Sequence, residues 1–295
     1  MPQLDRRNRS WWRVLDERSD VGGRAKAWLF LTHPGPSLLV TAVVVAAAGL
    51  LTRHLPSTRT ALGLTLVMLP AQLAIGALND WADAAADSAA KPYKPVVRGL
   101  VSREAALAVA VGGVAVSLAT AAWLGRDVLA VAALGVAAGV AYDLALKRTP
   151  AAVLAWWGGL ATVPLLAMAM TGGLRGAAVA IPLAGLLALA LQLANCLPDT
   201  EGDRRGGART LSTLLGAGAA RLAMSVALAA AAVLVVAARQ PLGQGAVALL
   251  GAGLLAAGAP VAVLTGEAPR LAFPVLALLV AAATVSWLAA LPAAG

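Results

Sequence analysis

Nine apolar runs, each about as long as a bilayer is thick, decide what this chain can fold into. They fall at 27–51, 60–80, 103–124, 127–143, 150–171, 177–197, 216–238, 243–265 and 270–291. A helix needs about 20 apolar residues to cross a hydrocarbon core of about 30 Å. No water is present there to satisfy the backbone, so only helices and closed barrels can span. The runs are continuous and rich in Ala and Leu rather than alternating, which argues against a barrel. The expected fold class is all-α, a polytopic membrane helical bundle of about nine transmembrane helices. Composition agrees: 60% of the 295 residues are hydrophobic, 13% are charged, and the mean hydropathy is +0.81.

The net charge of +9 does not point to nucleic acid. In a membrane protein the placement of basic residues matters more than their sum. With the N-terminus inside, cytoplasmic segments hold 18 of the 23 Lys and Arg residues. The outer side then keeps Arg53, Arg59, Arg126, Arg175 and Arg239. This bias predicts a multi-pass cell-membrane protein with a cytoplasmic N-terminus. Residues 1–26 read as a basic cytoplasmic segment, and 27–295 as the transmembrane domain. Trp11 and Trp12 suggest an interfacial amphipathic helix in the former, which holds no apolar run of signal-peptide type. The lone Cys196 excludes an intramolecular disulfide and a thiolate zinc cluster.

Against this apolar background one polar pattern occurs twice. Asn79, Asp83 and Asp87 are spaced four apart, and so are Asn195, Asp199 and Asp203, 116 residues later. A four-residue step turns a helix by only about 40°, so each trio is expected on one face of one helix end. Four spans separate the copies, which gives them the same orientation and the same depth near the cytoplasmic surface. Ionisable groups at membrane depth mark functional sites by default, and carboxylates with amide oxygens suit a hard cation. A basic loop follows each trio: Lys91-Pro-Tyr-Lys94-Pro-Val-Val-Arg98-Gly after the first, Arg204-Arg205-Gly-Gly-Ala-Arg209 after the second. Carboxylates beside cations suggest a polyanion held partly through metal. Mg²⁺ takes one or two carboxylates plus phosphate oxygens and water, and two such ions could clamp a diphosphate. Lys and Arg would neutralise the remaining charge.

These residues resemble a known family. Asn79-Asp80-Trp-Ala-Asp83-Ala-Ala-Ala-Asp87 is similar to the NDxxDxxxD motif of the UbiA superfamily of intramembrane prenyltransferases. The stretch from Lys91 to Gly99 resembles the KPxRPxxxG sequence that follows it in several branches. Asp199-Thr-Glu201-Gly-Asp203, with Gly207 and Thr210-Leu211, resembles the second motif, DxEGD…GxxTL. Tyr142-Asp-Leu-Ala-Leu-Lys147-Arg148 is similar to the YSxxLKR signature.

The resemblance covers about residues 24–291. It implies a bundle around a central cavity, open sideways to lipid and capped on the cytoplasmic side. It also implies Mg²⁺-dependent ionisation of an allylic prenyl diphosphate. Carried over, Asn79, Asp83, Asp87, Asn195, Asp199 and Asp203 form the metal face, with Asp80 and Glu201 auxiliary. Lys91, Lys94, Arg98, Tyr142, Lys147, Arg148 and Arg209 are candidates for diphosphate contact or cap closure. Three positions depart from the pattern. His33 stands where many relatives have Arg, which makes it either a titratable candidate for the diphosphate or an interfacial structural His. Asp143 replaces the usual Ser, and Cys196 fills a slot that is often Asp.

The expected partners are a prenyl diphosphate, an unidentified aromatic or hydroxyl acceptor and membrane lipid, with Mg²⁺ as cofactor. A terpene cyclase on the same scaffold, acting without acceptor, is the alternative. Aromatics at 4% offer few π-faces for cyclisation, which favours transfer. A cation transporter is the least supported reading, because the repeat is parallel and sits near the surface rather than at the midplane.

Overall fold

The last helix of the described chain packs against both the first long helix and the seventh, and so closes a ring of helices. The computed structural model describes residues 21–174, 176–238 and 269–290, together with 245, 249, 251–253, 255–256 and 258. Those residues are helical apart from the turns and loops that join the helices. In chain order the helices are α1 (Val21–Leu31), α2 (Pro34–Thr52), α3 (Thr58–Ala90), α4 (Arg103–Leu124) and α5 (Arg126–Ala141). There follow α6 (Ala152–Thr171), α7 (Ala177–Cys196), α8 (Thr200–Arg205), α9 (Leu211–Ala237) and α10 (Pro269–Ala290).

Among the described residues, eight segments are long and apolar enough to cross a membrane. The ninth expected span, 243–265, falls mostly outside the described residues, as does the N-terminal segment with Trp11 and Trp12. Consecutive helices from α2 to α7 pack in sequence order, α2 also touches α6, and α9 packs on α7.

The sequence suggests one unbroken first span over 27–51. The structure breaks it at His33, whose φ of 48° is left-handed. Pro34 cannot donate to the preceding turn, so α1 ends and α2 starts afresh with Pro at its first position. The second span runs on further than its apolar stretch. At 1.5 Å per residue the 33 residues of α3 extend about 50 Å, well beyond a hydrocarbon core of about 30 Å. Its last turns, which carry the first trio, therefore project past the apolar layer.

Small residues allow this packing. A Cβ on Gly113 of α4 would lie 2.6 Å from the Pro70 carbonyl oxygen of α3, so the two helices meet backbone to backbone there. Ser117 Oγ, fully buried, donates across the same interface to the Val67 carbonyl at 2.7 Å. A separate small core forms at the proposed cytoplasmic end. Leu31 of α1, Ala77 and Leu78 of α3, Ala106 and Ala110 of α4 enclose Val96 and Val101 from the loop after α3. Burial of those two valines anchors the basic loop, and with it the position of Lys94.

Candidate functional site

The first trio lines one face of the end of α3, as its spacing requires. The chain then turns back through the loop 91–101. Successive backbone bonds, Lys94 N–H to the Lys91 carbonyl at 3.1 Å and Arg98 N–H to that of Lys94 at 3.0 Å, tighten it. The loop delivers Lys94 into the acidic face. Its ammonium lies 2.8 Å from Asp80 Oδ1 and 2.6 Å from Asp87 Oδ2, and it donates to Asn79 Oδ1 at 3.3 Å. Lys94 is 7% exposed, Asp80 1% and Asp87 6%, so this is an ion cluster withdrawn from solvent. Burial pushes the Lys94 ammonium towards the neutral form, but its bonds to Asp80 and Asp87 outweigh that and raise its pKa above the ordinary 10.5. Lys91 adds a more exposed pair with Asp87 at 3.4 Å.

Asp80, read from sequence as auxiliary, sits at the centre. It accepts from Lys94 and also meets His33 Nε2 at 3.2 Å. The break at His33 makes this contact possible. Gly76 does too, because a Cβ there would lie 3.0 Å from both His33 Cδ2 and the Thr32 carbonyl oxygen. His33 thus faces a carboxylate of the first motif.

The end of α5 supplies the next layer. Residues Tyr142–Leu146 form a π-turn, closed by Lys147 N–H donating to the Tyr142 carbonyl at 3.0 Å. Such turns re-aim side chains and recur at functional sites. Here Lys147 is brought onto Asp83 as a close ion pair. Asp143 is buried, and its Oδ1 accepts from Asn79 Nδ2 at 2.9 Å. Asn79 is thereby held at both ends of its amide, by Asp143 and by Lys94. Sequence reasoning registers Asp143 only as a departure from a pattern. The signal available was a carboxylate at the end of an apolar run, whereas its partner lies 64 residues away.

The second trio does not lie on one regular helix. Asn195 is in the last turn of α7, Asp199 ends a 3₁₀ turn over Leu197–Asp199, and Asp203 is in α8. Pro198, inside that turn, has no N–H for a continuous α-helical ladder. Asp199 is exposed and Asp203 half-buried. Among the described residues neither makes an ion pair, although the field of Arg148 reaches Asp203.

Arg148 ties the two halves together. Its guanidinium donates to the Gly206 carbonyl at 3.0 Å, and its own carbonyl accepts from Arg209 N–H at 3.1 Å. Tyr142 stands between the motifs, in electrostatic reach of both Asp83 and Cys196. Arg98 and Arg209 are exposed. Glu201 is occupied on the surface by Arg204 and Arg205, each at 3.6 Å.

Among the described residues no three His, Cys, Asp or Glu side chains converge closely enough to hold a metal by themselves. The donor set still fits Mg²⁺, which completes its shell with phosphate oxygens and water. Among the described residues, Asp80 Oδ2 and Asp143 Oδ2 are buried oxygens without a hydrogen-bond donor, while Asp83, Asp199 and Asp203 remain accessible.

Beneath the polar layer lie two apolar chambers. One, of about 330 Å³, runs between α3, α5 and α6 and has Tyr142 in its wall. The other, of about 600 Å³, lies between α2, α6, α7 and α10. Val40, Gln72, Trp156, Leu160 and Val163 line both. Trp156 packs edge-on against Tyr142 on one side and Phe273 on the other, with ring centroids 6.3 and 6.0 Å apart.

Paired carboxylates and lysines above apolar chambers, carried by helices of membrane-spanning length, define a polytopic helical membrane protein with a charged site at one end of its bundle. Residues 38–270 match the model of the UbiA prenyltransferase family, and the chain belongs to that family. It is 32% identical over 143 residues to the digeranylgeranylglyceryl phosphate synthase of Natronomonas pharaonis. That match takes in 48% of this chain and 51% of the relative, so it spans about half the length of that protein. It is 28% identical over 209 residues to the synthase of the same name from Pyrococcus abyssi, covering 68% of this chain and 73% of the relative. A solved structure of a UbiA homolog from Archaeoglobus fulgidus, bound to GPP and Mg²⁺, superposes with a TM-score of 0.67 at 17% identity. It covers 89% of this chain and 98% of that one, a likeness of fold.

Proposed function

We propose that this protein moves a prenyl group from an allylic prenyl diphosphate to an aromatic or hydroxyl acceptor within the membrane. The observation that carries the proposal is the lysine-bridged acidic cluster set directly above an apolar chamber, with Tyr142 where the two meet. Family membership supports it, as do the similar synthases and the Archaeoglobus fulgidus homolog bound to GPP and Mg²⁺.

In this reading the diphosphate head lies between the two acidic motifs and the chain points down into the apolar space. Asn79, Asp83 and Asp87 on one side, and Asn195, Asp199 and Asp203 on the other, would hold Mg²⁺. Bound there, the metal would supply Lewis-acid stabilisation of the departing diphosphate. Lys91, Lys94, Lys147 and Arg148 offer charge-assisted donors to the same oxygens. Asp143 keeps Asn79 in place through its amide, and Lys94 holds the oxygen at the other end. The apolar walls keep water from the allylic cation until the acceptor attacks and loses its proton.

The experiment is incubation of purified protein and Mg²⁺ with C10 to C20 prenyl diphosphates, with and without a membrane lipid extract, followed by mass analysis. Prenylated acceptor appearing only with the extract is expected. A cyclic hydrocarbon or alcohol formed without extract would establish the cyclase reading. That reading has one observation in its favour: the aromatic faces of Tyr142, Trp156 and Phe273 adjoin the chambers.

The site is proposed to face the cytoplasm, because 18 of 23 basic residues fall on that side when the N-terminus is inside. Single cysteines at positions 10 and 294, in a Cys196→Ala background, test this. An impermeant reagent should label position 294 and not position 10 in intact cells. The opposite pattern reverses the topology.

A further inference from the structure

Two chambers that share one wall raise the question of which carries the prenyl chain and how far. The smaller chamber adjoins the charged layer, since Tyr142 lines it and does not line the larger one. The shared wall is built on one face of α6. Trp156, Leu160 and Val163 follow at i, i+4 and i+7, and Gln72 of α3 and Val40 of α2 meet them. Trp156 is the largest of these side chains, and two edge-on aromatic contacts fix its ring.

Resting on the prenyltransferase reading, we propose that Trp156 sets the length of the prenyl chain this protein accepts, by closing the smaller chamber against the larger. A 150 Å³ apolar cavity takes up benzene, or about 25 Å³ per carbon, so 330 Å³ holds about 13 carbons. A C10 chain is contained on the near side of Trp156. A C20 chain has to pass it and continue into the space beside Phe273 and Ala277. The indole therefore obstructs long donors and leaves short ones untouched. Leu160 and Val163 are too small to block the passage alone once the indole is removed.

The test measures kcat/KM for C10 and C20 diphosphates with a fixed acceptor, together with binding of each donor to the same protein preparation. Trp156→Ala should raise the C20-to-C10 ratio at least about tenfold, and Trp156→Phe should leave it within about twofold of wild type. Ala277→Phe narrows the far chamber and should move the ratio the other way. Because the reading is a ratio within one variant, partial loss of folded protein cancels. A C20-to-C10 ratio in Trp156→Ala equal to wild type overturns the length-setting role, whatever Ala277→Phe does, and leaves the prenyltransferase assignment standing. Absence of prenyl product from every donor with wild-type protein overturns that assignment itself, and this inference with it.

Discussion

Asp83→Ala and Asp203→Ala are each expected to lower turnover of prenyl diphosphate by at least about a hundredfold, with the protein still inserted. Removing one preorganised group that acts on transition-state charge typically costs about 10²–10³ in rate. Asp83 belongs to the lysine-bridged motif and Asp203 to the open one, so the pair tests both sides of the proposed diphosphate site. Neither substitution should unfold the bundle. The Asp83 side chain is 21% exposed and its Lys147 partner 19%, so water can solvate the lysine left behind. Asp203 has no ion pair to break among the described residues. Asp127→Ala serves as the control, because among the described residues that exposed carboxylate pairs only with Arg126, at 3.7 Å, at the far end of α5. Mg²⁺ titration by calorimetry should show weaker binding in both the Asp83→Ala and Asp203→Ala variants. Near-wild-type turnover in either would remove that motif from the site.

Lys94→Gln is expected to damage the fold and the chemistry together. A lysine in a basic loop reads, from sequence, as a diphosphate ligand whose neutralisation leaves the protein intact. Its burial changes that expectation. Removing one partner of a buried ion pair leaves uncompensated charge and costs about 3–5 kcal/mol. Here Asp80 and Asp87 would both lose the Lys94 ammonium, which leaves Asp87 to its more exposed pair with Lys91 and Asp80 to its contact with His33. Because the carboxylates raise the Lys94 pKa, its contribution is fully present below 10.5 and is lost only as pH rises through the higher folded value. The neutral range therefore offers no rescue.

Asp80→Asn in the same chain should recover part of the lost stability, since it removes the more deeply buried of the two charges that Lys94 had neutralised. Thermal unfolding in detergent compares the single and double variants. Additive losses in the double variant would show that Lys94 and Asp80 do not act as a pair.

The sequence by itself determined the class of fold and named the acidic and basic residues on which the candidate site draws. Apolar runs of spanning length that are continuous rather than alternating select a helical bundle over a closed barrel, the two folds that satisfy the backbone in hydrocarbon. Polar residues repeated at four-residue spacing are expected to share a helix face, and the trio in α3 does. Periodicity of this kind is local and survives in a one-dimensional reading.

Only the tertiary structure decided which charges meet. Lys94 reaches Asp80 because Val96 and Val101 bury the loop around it, and Lys147 reaches Asp83 because a π-turn ends α5. His33 meets Asp80 through a left-handed break and the missing Cβ of Gly76. The second trio lost its single helix to the 3₁₀ turn that contains Pro198, and the apolar interior divided where α6 presents Trp156 between α3 and α10. Each of these depends on contacts between segments far apart in the chain. Such contacts are set by packing volume and by the cost of leaving a buried charge unpaired, and neither quantity is written in residue spacing.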